Sequence, residues 1–371
     1  MKVALVHDYL NQLGGGERVL EALMEMFPEA PIYTLLYDEE KTRRRFVNRK
    51  IQTNFLDIPF VRNNHRLFIP LFPFLIRAMN LKSKYDLIIS DTAGFAKGIN
   101  YNAKTTKHLS YIHTPLRYAF ETDTYFNNSF SGSGIFQSRI FRFLFRPAFT
   151  AIRLFDQKIA QAPDVLIANS KYIAQKVETC YGRKAQVIYP PVNNQVFYYQ
   201  ENDPRADYFL AIGRFLHYKF FDLIIKSCIE AGVKLKVVGT GREEKYLKSL
   251  AKNHQNISFL PFQENDPQLR SLYSGAKAFI MANEEDFGLV MAEAQACGTP
   301  VIAYNRGGAV EIVEEGKTGI LYSEQTIPSL VAAIKEFQNH TFDRRYISQK
   351  AARFSKENFA QQLQAVINQT L

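Results

Sequence analysis

The sequence predicts an α/β protein with two Rossmann-like domains, each built on a doubly wound parallel sheet. Short apolar runs alternate along the chain with amphipathic runs of helical period, which is βαβ order. Runs such as DLIIS and VLIAN show no polar alternation, as expected for strands of a parallel sheet that helices cover on both faces. A length of 371 residues suggests two domains, at about 150 residues each.

The predicted strands fall into two groups. The first group comprises Lys2–Val6, Ile32–Leu36, Tyr85–Ser90, His108–Ile112, Val165–Asn169 and Gln186–Tyr189. The second group comprises Tyr208–Ile212, Lys234–Val238, Ile257–Leu260, Ala278–Met281 and Pro300–Ala303. Amphipathic helices are predicted between strands, for example at Glu17–Phe27, Ser170–Cys180, Phe220–Ala231 and Glu243–Lys252.

The segment from Tyr189 to Tyr208 separates the two groups, because prolines, asparagines and acids interrupt the periodic pattern there. We therefore predict a first domain over residues 1–190, a linker over 191–207 and a second domain over 208–354. A last helix, within residues 355–371, is expected to pack back on the first domain. Two doubly wound domains that face each other would place their ligand-binding loops on either side of an interdomain cleft.

Composition argues against several classes of protein. Cys180, Cys228 and Cys297 lie far apart without a C-x-x-C pair, so neither a disulfide framework nor a zinc site is predicted. The N-terminus turns polar at His7, which is too early for a signal peptide. The longest apolar run, Leu67–Ile76, is shorter than the roughly 20 residues needed to cross a bilayer. We therefore expect a cytoplasmic protein.

The formal net charge of +10 lies entirely in the first 190 residues. Cationic residues alternate there with phenylalanine and leucine, a pattern that suits binding to anionic lipid headgroups at the inner face of a membrane. A solvated basic face over an ordinary core is the alternative. Nucleic acid is not expected, because no nucleic-acid-binding motif accompanies the charge. The residues concerned are Lys41–Lys50, then Arg62, Arg66 and Arg77 among Phe60, Phe68, Phe72 and Phe74, and finally Ser138–Phe149.

In the second domain, the stretch FLAIGRFLHYKFF places Gly213, Arg214 and Lys219 between a strand and a helix. A glycine turn with two cations at the carboxyl end of a strand suits a diphosphate, because arginine offers a planar fork and lysine a mobile point charge. A surface turn with incidental charges would have the same composition. The sequence therefore indicates a candidate anion site here.

Two glycine clusters stand at predicted strand-to-helix junctions. Gly307 and Gly308 follow a strand of the second domain, and Gly14–Gly16 follow the first strand of the chain. Glycines at such junctions let a phosphate approach backbone N–H groups and the positive end of a helix. The Gly307–Gly308 motif is weak evidence by itself, whereas a plain flexible turn would need fewer glycines than Gly14–Gly16 supply.

Two carboxylates, Glu285 and Glu293, stand eight residues apart around Phe287 and Gly288. We predict that a loop presents Glu285 and that the first turns of the following helix present Glu293. Carboxylates near a helix N-terminus can accept hydrogen bonds from the hydroxyls of a sugar or ribose. Glu293 could instead be held by its own helix end or a lysine. Glu284 and Asp286 are expected to be solvated loop acids.

The motifs EEDFGLVMAEAQACGTPVIAYNRGG, GRFLHYK and GGGERVLEAL together resemble the retaining glycosyltransferases of family 4, which have the GT-B fold. The resemblance covers nearly the whole chain. The spacing E-x7-E followed by ACGTPV and a glycine pair is its most specific part. GGGER together with YIHTPLRYAFE resembles the branch of bacterial O-antigen mannosyltransferases.

This resemblance implies roles for matching residues. It assigns the donor diphosphate to Arg214 and Lys219, the hydroxyls of the transferred sugar to Glu285 and the ribose hydroxyls to Glu293. His113, in YIHTPLRY, would lie beside the reacting sugar, although a core histidine bonded to a backbone carbonyl is the alternative. Asp286 departs from the glycine that many members carry. The implied catalytic residues are His113, Glu285, Arg214 and Lys219, and the implied donor-binding residues are Gly15, Gly16, Gly213, Arg214, Lys219, Glu285, Phe287, Gly288, Leu289 and Glu293.

The activity implied is transfer of a hexose from GDP-mannose or UDP-glucose to a lipid-linked or other saccharide acceptor in cell-surface polysaccharide synthesis, for example of O-antigen or exopolysaccharide. No metal or other cofactor is expected, because cations and a helix N-terminus can stabilise the departing phosphate. The first domain would face the acceptor and the membrane, and the second would bind the nucleotide sugar. Two alternatives remain: a GT-B nucleotide-sugar epimerase, and a non-catalytic sugar-nucleotide-binding protein.

Overall fold

A computed structural model describes residues 1–81, 85–121, 139–262 and 266–371, with side chains omitted for residues 139–148. The chain divides into two compact units. The first unit comprises Met1–Pro191 and Phe359–Leu371, and the second comprises Val192–Asn358. Each unit contains one parallel sheet with helices, so the predicted pair of doubly wound domains is confirmed.

The first unit is built on a sheet of seven strands in the order β3-β2-β1-β4-β5-β6-β7, with every neighbouring pair parallel. The strands are β1 (Val3–His7), β2 (Ile32–Thr34), β3 (Ile51–Gln52), β4 (Leu87–Thr92), β5 (Lys107–Ile112), β6 (Val165–Ala168) and β7 (Gln186–Val187). The helices are α1 (Gly15–Met26), α2 (Pro59–Asn63), α3 (Phe72–Ala78), α4 (Arg117–Phe120), α5 (Arg139–Ile159) and α6 (Lys171–Tyr181), with 3₁₀ turns at His65–Leu71 and Ala96–Gly98.

The second unit is built on a sheet of six parallel strands in the order β10-β9-β8-β11-β12-β13. The strands are β8 (Phe209–Ile212), β9 (Leu235–Val238), β10 (Ile257–Leu260), β11 (Phe279–Met281), β12 (Val301–Tyr304) and β13 (Gly319–Tyr322). The helices are α7 (Phe221–Glu230), α8 (Glu244–Leu250), α9 (Asp266–Gly275), α10 (Leu289–Ala296), α11 (Ala309–Ile312), α12 (Ile327–Gln338) and α13 (Arg344–Ala351), with 3₁₀ turns at His217–Lys219 and Ala352–Phe354.

The last helix, α14 (Lys356–Thr370), completes the hydrophobic core of the first unit. Phe359 and Leu363 are buried in that core, and the Phe359 ring lies edge-on to Tyr111 at 5.9 Å between centroids. The chain thus returns to the first unit after passing through the second. Residues 191–207, predicted to form a linker, belong to the second unit from Val192 onward, where Val192 pairs with Ser355.

In each sheet, the order in which successive strands are added reverses at one point. In the first unit β2 and β3 lie on one side of β1 and β4 lies on the other, and in the second unit β8 and β11 are the corresponding pair. Loops that leave the carboxyl ends of two such strands diverge to opposite faces of the sheet and open a crevice, which is where doubly wound proteins bind ligands. The architecture therefore predicts one candidate site in each unit, after β1 and β4 and after β8 and β11.

All eleven predicted strands are present, with ends that differ by at most two residues. The sequence analysis missed β3, which has only two residues, and β13, which follows the glycine-rich turn EEGKTG. Gly319 is the first residue of β13. Glycine is needed there because a Cβ would lie 1.9 Å from the carbonyl oxygen of Val301 on the neighbouring strand. Among the described residues, no helix has the length and apolar character needed to span a membrane.

Candidate functional site

The carboxyl ends of β8 and β11 bring Lys219 and Glu285 into direct contact. The Nζ atom of Lys219 donates to Oε1 of Glu285, and both side chains are largely shielded from solvent. The amide Nδ2 of Asn283 donates to the same Oε1 at 3.0 Å. Two sequence-predicted residues thus meet at the point where the strand order reverses, and a cation and a carboxylate become available side by side.

Lys219 ends the 3₁₀ turn His217–Lys219, and the next residue, Phe220, has a φ of 54°. A left-handed backbone is uncommon for an aromatic residue and costs free energy, on the order of 1–3 kcal/mol. Phe220 is also the N-cap of α7, so the sharp turn fixes the position of Lys219 directly before this helix. Strain of this kind persists where surrounding packing over-determines the backbone, and it is frequent at binding sites.

The loop that carries Gly213 and Arg214 is fixed by backbone packing against the end of β9. The N–H of Phe215 donates to the carbonyl of Thr240 at 2.8 Å. A Cβ on Gly239 would lie 1.9 Å from the carbonyl oxygen of Gly213, so only glycine permits this approach. The sequence VVGTGREE therefore supports the loop that carries Gly213 and Arg214. The side chain of Arg214 is exposed, just after the end of β8.

Gly307 and Gly308 support the loop that carries Glu285. The N–H of Gly308 donates to the carbonyl of Glu285 at 2.8 Å, and Glu285 pairs with Gly307 in an isolated parallel bridge. Added Cβ atoms would lie 2.2 Å from the carbonyl oxygen of Glu285 and 2.0 Å from that of Phe287. The N–H of Gly308 is therefore bonded to this loop and is not available to a phosphate.

Glu293 lies in the second turn of α10 and is 2% exposed. Its Oε2 accepts a hydrogen bond of 3.2 Å from the hydroxyl of Tyr273. Gly288 caps the helix with a φ of 96°, and Leu289 is its first residue. Phe287 is buried against the ring of Phe354. The predicted arrangement of a loop followed by a helix start is present, with Glu293 deeper in the fold than Glu285.

Asn283 is a residue of this site that sequence reasoning missed. It lies two residues after the end of β11, is 3% exposed, and also donates to the carbonyl of Glu284 at 3.1 Å. Its Oδ1 is buried and makes no hydrogen bond in the part of the chain that the structure describes. A buried unsatisfied amide oxygen is uncommon and suits a site completed by a ligand. The signal available was its place as the first polar residue after an apolar strand.

In the first unit, three neighbouring strands end in a buried ionic cluster around Asp91. Oδ1 of Asp91 lies 2.6 Å from Nε2 of His113, and Oδ2 lies 2.9 Å from Nδ1 of His7. The opposite nitrogen of His7 lies 4.0 Å from Oε1 of Glu17, near the start of α1. Asp91 is fully buried, and the His113 side chain retains 15% exposure.

This cluster changes the pKa of each member. Burial alone would lower the pKa of both histidines, but the charge and hydrogen bonds of Asp91 outweigh burial, raising the pKa of His7 to about 9 and also raising that of His113. Burial would raise the pKa of Asp91, yet the two imidazoles together lower it. Burial raises the pKa of Glu17. The cluster therefore favours an ionised Asp91 between protonated histidines.

The glycine tract GGGER lies beside this cluster. Helix α1 begins at Gly15, two residues before its predicted start, with Gly14 as N-cap. A Cβ on Gly16 would lie 3.3 Å from Nε2 of His113, whereas a Cβ on Gly15 would meet no atom within 4 Å. Gly16 thus leaves room for the imidazole, and Gly15 leaves open space above the helix N-terminus.

Sequence reasoning named His113 but missed its partners His7 and Asp91. The alternative reading of a core histidine held by a backbone carbonyl is not what the structure contains, because the ring bonds a carboxylate. His7 and Asp91 each stand at or near the carboxyl end of an apolar strand, in VALVH and LIISD. Polar residues at the ends of adjacent strands were the signal, but adjacency could be known only from the strand order.

Comparison with known protein families accounts for most of the chain. Residues 13–196 match the family described as Glycosyltransferase Family 4, and residues 199–354 match the family described as Glycosyl transferases group 1. The first match contains Asp91, His113 and Glu17 of the ionic cluster, whereas His7 lies before it, and the second match contains Lys219, Glu285 and Glu293.

Individual proteins that are similar to this chain also bear the name glycosyltransferase. An uncharacterized glycosyltransferase of Methanocaldococcus jannaschii is 28% identical over 196 residues, which cover 52% of this chain and 55% of that protein. A D-inositol 3-phosphate glycosyltransferase of Corynebacterium urealyticum is 38% identical over 133 residues, 34% of this chain and 31% of that protein. The matches therefore span little more than half of the first relative and about a third of the second.

A solved structure confirms the fold over its full length. The crystal structure of Anabaena HepE in complex with UDP superimposes with a TM-score of 0.73 and 20% identity, covering 100% of both chains. At this identity the likeness establishes the architecture alone. The predicted GT-B fold is confirmed.

Proposed function

Because the chain carries a match to Glycosyltransferase Family 4 over residues 13–196 and to Glycosyl transferases group 1 over residues 199–354, we propose that it is a glycosyltransferase that transfers a hexose from a nucleoside-diphosphate sugar to a saccharide hydroxyl with retention of configuration. The observation that carries the proposal is the contact of Lys219 with Glu285 where the second sheet reverses its order. A cation beside a carboxylate is what a diphosphate joined to a polyhydroxylated ring requires, since one group binds phosphate oxygens and the other accepts from hydroxyls.

In this proposal Lys219 and Arg214 bind the diphosphate of the donor. An ammonium group has three donors, so Lys219 can keep its bond to Glu285 and still reach a phosphate oxygen. Glu285 accepts hydrogen bonds from the transferred hexose, and Glu293, with its hydroxyl partner Tyr273, binds the ribose. Gly213, Phe287, Gly288 and Leu289 supply the backbone that shapes this donor site. Gly15 and Gly16 are proposed to bind the donor, and His113 the reacting sugar, as the family resemblance implies.

The proposed reaction breaks the bond between the anomeric carbon and the diphosphate and forms a bond to the acceptor oxygen. The departing diphosphate takes the proton of the acceptor hydroxyl on the same face. Lys219 and Arg214 stabilise the negative charge that develops on the leaving group, which needs no metal ion. That the donor site works without a metal ion is part of this proposal.

The donor is proposed to be UDP-glucose or GDP-mannose. Anabaena HepE has been solved with UDP and with UDP-glucose, which supports a nucleotide-sugar donor and makes UDP-glucose the first to test. The resemblance to the O-antigen mannosyltransferase branch is the reason to test GDP-mannose beside it. Both donors share the diphosphate that Lys219 and Arg214 would hold, so the proposal concerns that group first.

The acceptor is proposed to be a lipid-linked saccharide of a cell-surface polysaccharide, reached at the inner face of an anionic membrane. Phe55, Phe60, Leu67 and Phe74 expose 79%, 62%, 62% and 74% of their surface. Arg66 and Arg77 are also exposed in this segment. Large apolar side chains beside cations suit insertion between anionic headgroups.

Part of the predicted basic and aromatic pattern has an ordinary structural role. Phe72 is buried in a core cluster of the first unit, Phe68 packs against the same cluster, and Arg62 pairs with Asp57 at 2.6 Å. In the third stretch of the pattern, Ser138–Phe149, all side chains except that of Phe149 lie outside the part that the structure describes. The membrane proposal therefore rests on residues 55–77.

One assay separates this function from its alternatives. The full chain is incubated with UDP-glucose or GDP-mannose, with and without a pool of lipid-linked saccharides, and free nucleoside diphosphate is measured. A transferase releases it only when acceptor is present, and it labels the acceptor. An epimerase would convert the donor without an acceptor, and a sensor would bind it without turnover. Either result would overturn the proposal.

A further inference from the structure

We propose that Asp91, braced by His7, is a positioning residue that holds His113 through Nε2 and so leaves Nδ1–H as a hydrogen-bond donor for a substrate oxygen. This inference rests on the proposed function only in taking the substrate to be a sugar nucleotide or its acceptor. Its new part concerns Asp91 and His7, to which neither the proposed glycosyl-transfer chemistry nor the motif E-x7-E assigns a role.

Hydrogen-bond accounting supports the assignment of protons. An ionised carboxylate can only accept hydrogen bonds. Asp91 places one oxygen on His113 Nε2 at 2.6 Å and the other on His7 Nδ1 at 2.9 Å. Both nitrogens must therefore carry hydrogen and donate. Because Nε2 of His113 is committed to Asp91, Nδ1 is the ring nitrogen left to address a ligand.

The surroundings of His113 leave this nitrogen available. The backbone N–H of His113 donates to Thr92, and its carbonyl accepts from Asn169 Nδ2 at 3.1 Å, so the main chain is anchored on both sides. The ring lies edge-on to Tyr111, with centroids 5.3 Å apart. Nδ1 makes no hydrogen bond within the described residues, and 15% of the side chain is exposed.

Charged groups on three neighbouring elements of the described chain affect the pKa of His113. Asp91 on β4 and Glu17 on α1 favour its protonated form, whereas His7 on β1 opposes it as a like charge. Asp8 acts on His7 and is itself fixed by the N–H groups of Ala93 and Ala96, at 2.7 and 2.8 Å. Three carboxylates thus act on the two imidazoles, and two of them, Asp91 and Glu17, favour the protonated state of His113 directly.

An imidazolium at this position would donate a hydrogen bond to a hydroxyl or an anionic oxygen. A carboxylate behind a histidine fixes both the tautomer and the ring orientation, and removing it typically lets the ring rotate or change protonation state. The proposed effect of Asp91 is therefore on the proton at Nδ1 and on ring orientation, while Asp91 itself does not touch the substrate.

The test is a ¹⁵N NMR titration of the histidine side chains in the full chain, with His113→Gln identifying the His113 signals. Wild-type protein is compared with Asp91→Asn and His7→Gln. We expect Asp91→Asn to lower the pKa of His113, and His7→Gln to raise it, because the first removes an attractive charge and the second a repulsive one. Asp86→Asn, an exposed carboxylate just before the same strand β4, is the matched control and should change nothing.

Folding is checked in the same spectra. His108, on the adjacent strand β5, has a pKa lowered to about 3 by burial and should stay neutral in every folded variant. If His113 titrates as an ordinary histidine in wild type, or if both substitutions shift its pKa in the same direction, the proposal is overturned. These outcomes need no catalysis, so they are independent of whether the chain is a transferase.

Kinetics then connect the geometry to turnover. We expect Asp91→Asn to reduce kcat by about 10- to 100-fold, as for other carboxylates that orient a histidine, and to move the alkaline limb of the kcat profile to lower pH. A purely structural role for Asp91 would leave the position of that limb unchanged. An unchanged limb in a folded, active variant would contradict the proposal.

Discussion

Lys219 and Glu285 form an ion pair across 66 residues of sequence, at the point where the second sheet reverses its strand order. Lys219 is placed by the 3₁₀ turn after β8, and Glu285 by the loop after β11 that rests on Gly307 and Gly308. Three separate parts of the chain thus position one pair. The topology, more than any single motif, makes this the candidate donor site.

Replacing Lys219 by alanine should weaken donor binding and slow transfer, because the variant loses the point charge proposed to hold the diphosphate and leaves Glu285 with its negative charge uncompensated. We expect kcat/KM to fall about 10²- to 10³-fold, as for other contacts that stabilise a developing negative charge. The measurement is initial-rate kinetics with calorimetric titration of the nucleoside diphosphate.

Lys226 provides a matched control for that substitution. It lies on α7, pairs with Asp222 at 3.0 Å in an i, i+4 surface contact, and should tolerate alanine with little change in rate. Equal kinetics for the Lys219 and Lys226 variants would show that Lys219 does not hold the donor.

Gly307→Ala should disable the site without unfolding the domain. The new Cβ would lie 2.2 Å from the carbonyl oxygen of Glu285, so the loop that carries this carboxylate must move. Gly316 is the matched control, because its φ of 72° is close to the 62° of Gly307, yet no atom lies within 4 Å of an added Cβ. Both substitutions carry backbone strain of about 1 kcal/mol.

Activity and melting temperature should separate these two glycine variants. Gly316→Ala should lose a few degrees of stability and keep its rate, whereas Gly307→Ala should lose most of its rate at a similar melting temperature. If both variants retain full activity, the loop does not depend on the glycine pair in the way the structure indicates.

The ionic cluster should make the first unit less stable at alkaline pH. The pKa of His7 is raised to about 9, so its stabilisation is complete below its unfolded value near 6.5 and disappears as the pH rises through about 9. The loss is expected to approach about 3 kcal/mol at most, given that one pKa unit corresponds to 1.36 kcal/mol. Urea unfolding of wild type and His7→Gln at pH 6.5 and pH 9.5 measures it.

His7→Gln should be less stable than wild type at pH 6.5 and should lose less stability between the two pH values. The difference between the two proteins is informative because other titrating groups affect both. A wild-type protein whose stability falls no more than that of the variant would contradict the role of the His7–Asp91 contact.

Removing one partner of a second buried ion pair should greatly reduce the free energy of unfolding. Nζ of Lys97 lies 2.6 Å from Oδ1 of Asp156, both side chains are buried, and the hydroxyl of Tyr181 donates to the other oxygen at 2.7 Å. Lys97→Met leaves Asp156 without its cation and should destabilise the first unit by about 3–5 kcal/mol. Thermal unfolding monitored by circular dichroism measures the loss.

Lys97→Met combined with Asp156→Leu should recover part of that stability, because no buried charge remains unpaired. The double variant is therefore expected to melt above the single one. A double variant less stable than Lys97→Met alone would indicate that the pair contributes through packing or hydrogen bonds beyond its charge balance.

The fold was largely predictable because apolar runs of four to six residues identify buried parallel strands without knowledge of their order. Strand β3 was missed because two residues carry no periodic signal. Strand β13 was missed because the glycine-rich turn before it masks the start of GILY. In both cases the strand lies at an edge of its sheet, where pairing with one neighbour decides the structure.

The candidate site was predictable only where a motif marks it. Glu285 and Lys219 could be named from the E-x7-E and GRFLHYK patterns, but their contact depends on β8 and β11 being neighbours. His7 and Asp91 belong to no motif that we recognised, and their contact requires β1 and β4 to be adjacent. Sequence spacing cannot show which strand ends meet, so such clusters emerge only from the three-dimensional order.

The most direct test of the central claim is a crystal structure of the full chain with UDP or GDP bound. We predict that the diphosphate lies at the carboxyl ends of β8 and β11, with a phosphate oxygen within hydrogen-bond distance of Lys219 Nζ. A nucleotide bound elsewhere, with the contact between Lys219 and Glu285 unchanged and no phosphate near it, would contradict the account.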